Sequence, residues 1–166
     1  MAGNSAHRLD FSITVTAYSS GEGGGGGSLA RGTKMDMANG NQRPVQSIKI
    51  GDRMLGYDPS TGQYGVATVT ATKIVVTNNE LIIHTLTGIT LKTDNSTTEV
   101  LWTRLQNGTS LWLSVTQLRP GDSLHTQNGW AKVTSVDRLD GTTRCTIFTA
   151  TKPYFANGYL DPPRPS

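Results

Sequence analysis

Few side chains in this sequence could do chemistry. The single thiol, Cys145, sits in the alternating stretch Cys145-Thr146-Ile147-Phe148-Thr149. A free Cys is most often a small buried hydrophobe, and one thiol excludes both an internal disulfide and a cysteine-based zinc site. The histidines are His7, His84 and His125, and no two stand at metal-ligand spacing. The expectation is no metal and no cofactor. Asn157-Gly158 is a pair prone to succinimide formation, and it equally suits a turn, which is the reading adopted. Ser28 follows the run Gly21-Glu22-Gly23-Gly24-Gly25-Gly26-Gly27. Alone, it reads as the end of a Gly-Ser linker.

The elements that position these groups are legible because the chain contains a worn copy of itself. Val45-Gln46-Ser47-Ile48-Lys49-Ile50-Gly51-Asp52-Arg53-Met54 recurs as Val115-Thr116-Gln117-Leu118-Arg119-Pro120-Gly121-Asp122-Ser123-Leu124. Gly65-Val66-Ala67-Thr68-Val69 then answers to Gly129-Trp130-Ala131-Lys132-Val133, and Asn39-Gly40 to Asn107-Gly108. Two copies are too few for a solenoid. They imply one domain of two related halves, with 45–76 matching 115–139 about a near-twofold axis.

Composition fits. The 166 residues are 35% hydrophobic and 16% charged, with 19 glycines and a net charge of +3. That leaves room for a real core. There is no Lys/Arg run and no basic stripe interleaved with aromatics, so nucleic acid is not the expected partner. No apolar stretch approaches the ~18 residues of a membrane span, and the N-terminus lacks a signal-peptide core. Turn signals at Asn39-Gly40, Asp58–Gly62, Asn78-Asn79, Asn107-Gly108, Pro120-Gly121, Asn128-Gly129 and Asp140-Gly141 punctuate short strands. Single helical turns are expected at Val45–Ile48 and Val115–Leu118. The organisation read from this is a leader at 1–20 with a short strand at Phe11–Tyr18, a glycine linker at 21–27, an all-β domain at 28–160 and a proline-rich tail at 161–166. Trp102, Trp112 and Trp130 are expected to pack between strands.

Three strings together carry a family resemblance: Ser28-Leu29-Ala30-Arg31-Gly32-Thr33, then Ile48-Lys49-Ile50-Gly51-Asp52-Arg53-Met54-Leu55, then Ala156-Asn157-Gly158. The sequence resembles the Hint domains of hedgehog and intein autoprocessing proteins, most like the bacterial and archaeal intein-like members, over residues 28–160. The resemblance implies an all-β horseshoe with pseudo-twofold duplication. It also implies an acyl shift in which the first domain residue attacks the carbonyl before it. On that reading Gly27-Ser28 is the scissile pair and Ser28 the nucleophile, where the family most often has Cys. Thr93 is the Thr of a Thr-x-x-His motif, but Ser96, or Thr97 or Thr98 in a shifted register, stands where His belongs. Cys145 falls at the spacing of a residue that assists the first step, so it joins the catalytic candidates beside its core reading. Tyr159-Leu160-Asp161-Pro162-Pro163 replaces the terminal His-Asn, which removes splicing and the ordinary C-terminal cut.

The implied activity is self-cleavage before residue 28. The substrate is the chain's own upstream polypeptide, the acyl acceptor is water or a small nucleophile, and the unit is a monomer. The rival reading is a degenerate Hint fold serving as a structural or binding module. A β-sandwich adhesion module would explain the threonines and the sequons at Asn95 and Asn107, but not the string at 28–33.

Overall fold

A computed structural model of the chain describes residues 29–96 and 99–162. The leader, the linker and Ser28 lie outside them, as do Thr97, Thr98 and residues 163–166.

The described chain is β throughout, apart from two single 3-10 turns. In order the strands are β1 Leu29–Ala30, β2 Lys34–Asp36, β3 Gln42–Pro44, β4 Arg53–Asp58, β5 Gln63–Thr85, β6 Leu91–Asp94, β7 Val100–Arg104, β8 Ser110–Ser114, β9 Ser123–Thr126, β10 Gly129–Ala150, β11 Tyr154–Ala156 and β12 Tyr159–Asp161. They form one continuous antiparallel path, β3-β2-β11-β4-β5-β6-β1-β10-β9-β7-β8, with β12 added to β11 and with β5 also paired to β10. Side chains alternate across the path as period-two strands require. Leu81 and Ile83 of β5, Leu111 and Leu113 of β8, and Ala131 and Val133 of β10 all enter one core with Met35, Met54, Tyr154 and Tyr159.

The duplication holds bond for bond. The 3-10 turns are Val45–Ser47 and Val115–Gln117, as the repeat predicts. After each, a Gly-Asp turn follows with the same three bonds. Gly51 donates to Val69 O at 2.8 Å and Gly121 to Val133 O at 2.9 Å. Val69 N donates back to Asp52 O, and Val133 N to Asp122 O. The carboxylates of Asp52 and Asp122 accept from Lys49 N and Arg119 N at 2.8 and 3.0 Å. Glycine is required because φ is +92° at Gly51 and +98° at Gly121, a region that side chains avoid. The Asn-Gly turns match too: Gly40 donates to Met37 O and Gly108 to Leu105 O, at 3.0 and 2.9 Å.

Two sequence expectations change. Asn78-Asn79 and Asp140-Gly141 are not chain reversals. They lie within β5 and β10, strands of 23 and 22 residues that pair with each other along most of their lengths. Asn78-Asn79 continues as strand, and the register shift between Asp140 and Thr143 absorbs Gly141-Thr142 as a bulge. The mutual ladder therefore overrides the local turn preference. The sheet also runs to Asp161, which pairs with Tyr154, one residue beyond the expected end of the domain.

Candidate active site

The start of the described chain sits at the join between the two halves. Leu29 lies between Thr93 of β6 and Thr146 of β10, and Ala30 faces Cys145. Leu29 is 1% exposed and Ala30 6%, so β1 is a central strand, unusual for residues so near a linker. The string Leu-Ala-Arg-Gly-Thr explains how it is held. Thr33 donates to the carbonyl of Ala30 through both its amide, at 3.1 Å, and its hydroxyl, at 2.6 Å. Gly32 takes φ +92° at the bend and donates to Gln46 Oε1 at 2.8 Å. Arg31 N reaches Arg144 O at 3.2 Å. The motif is thus a tight turn that locks the strand immediately after residue 28. The expected scissile pair Gly27-Ser28 lies outside the described residues.

Thr93 is fully buried against Leu29, and its hydroxyl donates to the neighbouring carbonyl of Asp94 at 3.1 Å. The Asp94 carboxylate accepts from Thr77 Oγ1 at 2.6 Å. Cys145 is buried across from Ala30, and its thiol is pushed up to about 12, first by burial and then by the negative charges of Asp94, Glu99 and Glu80. A thiol held in this way is neutral and a poor nucleophile.

The sequence reading passed over the most unusual groups. Glu99 and Asp161 are both 0% exposed and interact through their carboxyls. Burial is the first cause that raises the pKa of each well above the carboxylate range, and the charge of Asp161 raises that of Glu99 further. Two carboxylates cannot both ionise in such a place, so the pair keeps a proton. Burial first, and then the charges of Asp161 and Glu99, push up the pKa of the Tyr154 phenol, whose residue is the strand partner of Asp161. The signals were faint. Glu99 is a lone acid beside the apolar run Val100-Leu101, and Asp161 is an Asp before proline at a strand end.

The described histidines stand elsewhere. His84 pairs with Asp137 at 2.9 Å on an exposed stretch of β5 and β10. His125 stacks on Tyr57 and meets the edge of Trp130, and burial lowers its pKa. Trp102 and Trp112 form a cross-strand edge pair, as expected. Asn157 takes φ +49° in the turn between β11 and β12, accepts from Lys34 N at 2.7 Å and donates to Thr90 O at 2.8 Å. It is a structural turn residue. Among the described residues, no group of His, Cys, Asp and Glu could hold a metal ion.

This architecture defines a class. No family model and no curated protein matches the chain, but solved structures of inteins and intein-like domains do. The chain has the Hint fold. A bacterial intein-like domain from Clostridium thermocellum is 19% identical over 82% of this chain and 97% of its own length, with a TM-score of 0.69. The DnaB intein of Synechocystis sp. PCC 6803 is 14% identical over 82% of this chain and 97% of that one, at 0.67. The TvoVMA intein is 11% identical over 81% and 95%, at 0.68.

Proposed function

We propose that this chain is a self-processing domain that cuts the Gly27–Ser28 bond by an N-to-O acyl shift, without splicing. The observation that carries the reading is β1. A nucleophile here must be presented to its own upstream carbonyl by a rigid strand. Leu29, the residue joined to Ser28, is buried between Thr93 of one half and Thr146 of the other. The likeness to intein-like domains supports the same reading. In the step, Ser28 Oγ bonds to the Gly27 carbonyl carbon, the amide C–N bond breaks and the nitrogen takes up a proton. Water or a small nucleophile then takes the acyl group from the ester. The substrate is the chain's own upstream segment, and a monomer suffices. Thr93 would brace β1 from the side. No nucleophilic step falls to Cys145, because its thiol is held neutral.

A degenerate Hint module is favoured by one observation: neither described histidine lies against β1. Intact-mass measurement with and without hydroxylamine separates the two readings. Ser28→Cys should raise scission before residue 28, since a thiolate forms more easily, and Ser28→Ala should abolish it. Equal slow cleavage in all forms would mean a merely labile linker. An inert Ser28→Cys protein would favour the module.

A further inference from the structure

We propose that the cleft between the second 3-10 turn and β10 binds a small organic anion, a carboxylate or phosphate carried on an apolar body, through Arg119 and Arg138. This inference is independent of the Ser28 reading.

Two clefts of nearly equal volume make the comparison. One, of about 510 Å³, lies against the Gly-Asp turn of the first half and is lined by Arg43, Asp52 and Arg53 among others. It carries its own anion, because Asp52 pairs with Arg43 at 3.1 Å. The other, of about 520 Å³, lies against the matching turn of the second half. That volume falls within the range of about 300–1,000 Å³ usual for small-molecule sites. Arg119 and Arg138 line it, and no Asp or Glu does. Among the described residues, neither guanidinium pairs with a carboxylate. The acids next to them in sequence are engaged elsewhere. Asp122 Oδ2 accepts from the Arg119 amide at 3.0 Å, and Asp137 pairs with His84 at 2.9 Å.

The cleft is built as well as charged. Arg138 Nη2 donates to the main-chain oxygen of Thr116 at 3.2 Å, which ties the β10 side chain to the turn and leaves the rest of its fork to meet a ligand. Leu118, Pro120 and Val136 supply apolar wall. Ser135 also lines the cleft, and a hydroxyl can donate to an anion. A guanidinium fork matches the paired oxygens of a carboxylate or phosphate, and the apolar wall suits the body that bears them. The shared plan of the two halves does not require this arrangement. By the offsets of the repeat, Lys49, Ile50 and Ile74 stand where the second half has Arg119, Pro120 and Arg138. Ile50 and Ile74 are 68% and 60% exposed, so the same turn and ribbon form without a cation on the ribbon.

The test is titration of the full chain with phenyl phosphate, benzoate, inorganic phosphate and benzyl alcohol at constant ionic strength, followed by amide NMR. Phenyl phosphate and benzoate should give saturable shifts clustered at Thr116–Arg119 and Ser135–Arg138. Inorganic phosphate should bind more weakly, and benzyl alcohol should not saturate. Arg119→Gln and Arg138→Gln should each weaken phenyl phosphate by roughly tenfold, the scale of a hydrogen bond to a charged group. Arg43→Gln, in the cleft that holds its own carboxylate, should bind it as the parent does. The proposal is overturned if neither aromatic anion shifts these residues saturably, or if the double Arg119→Gln, Arg138→Gln variant binds as tightly as the parent. Benzyl alcohol binding as well as benzoate would overturn the anion assignment, and inorganic phosphate binding as well as phenyl phosphate would overturn the apolar body.

Discussion

Asp52 and Asp122 are pseudo-twofold mates, each receiving the amide of the residue three positions before it. Their surroundings differ. Asp52 is partly exposed and pairs with Arg43 at 3.1 Å, whereas Asp122 is fully buried.

That difference predicts unequal costs. Asp122→Ala should destabilise the chain by about 2–3 kcal/mol, because it leaves the Arg119 amide without its acceptor in a dry site. Asp52→Ala should cost about 1 kcal/mol, since water can replace the carboxylate and an exposed ion pair contributes little. Asp122→Asn, which keeps an acceptor oxygen, should recover much of the loss. Urea denaturation of the three variants checks the order. Equal losses for the two alanines would mean that burial does not set the strength of these bonds.

Glu99 and Asp161 predict a pH dependence. Both pKa values are higher in the folded chain than in the unfolded one, burial being the first cause. The folded state therefore binds more protons above the ordinary carboxylate range. Stability from the pair is fullest below a pH of about 4 and is lost as pH rises toward the folded values, by up to about 1.4 kcal/mol per pH unit for each proton. Between pH 5 and pH 8 the parent should lose stability and Glu99→Gln should lose less. A parent whose unfolding midpoint climbs over that interval would rule out a buried protonated pair.

Cys145 should resist thiol reagents in the folded chain. With its pKa at about 12, the thiolate at neutral pH is on the order of one part in 10⁵, and the sulfur is sealed as well. One equivalent should react on unfolding. Cys145→Ala should leave scission in the Ser28→Cys background intact, at a cost of about 1 kcal/mol in stability. Loss of scission in a folded Cys145→Ala protein would give the thiol a part in the chemistry.

The sequence by itself determined the duplicated plan. Val45-x-x-Ile48-x-x-Gly51-Asp52 and its echo at Val115 encode a complete local device: a 3-10 turn, a glycine at positive φ and a carboxylate cap. Each part acts within a few residues, so spacing alone reveals it. The string at 29–33 was legible only through its family resemblance; in the structure Thr33 closes on Ala30 and Gly32 takes the bend at positive φ. Only the tertiary structure decided the rest. Asn78-Asn79 and Asp140-Gly141 looked like turns and became the middle of a long ribbon, because each strand found in the other a partner for its backbone that no local signal describes. Cys145 became a neutral thiol only when β10 paired with β1 and β5 around it, and Glu99 and Asp161 became a proton-sharing pair only when β12 packed on β7 and both were shut from water. A carboxyl's proton affinity depends on burial and on the charge beside it, and both are properties of the folded chain.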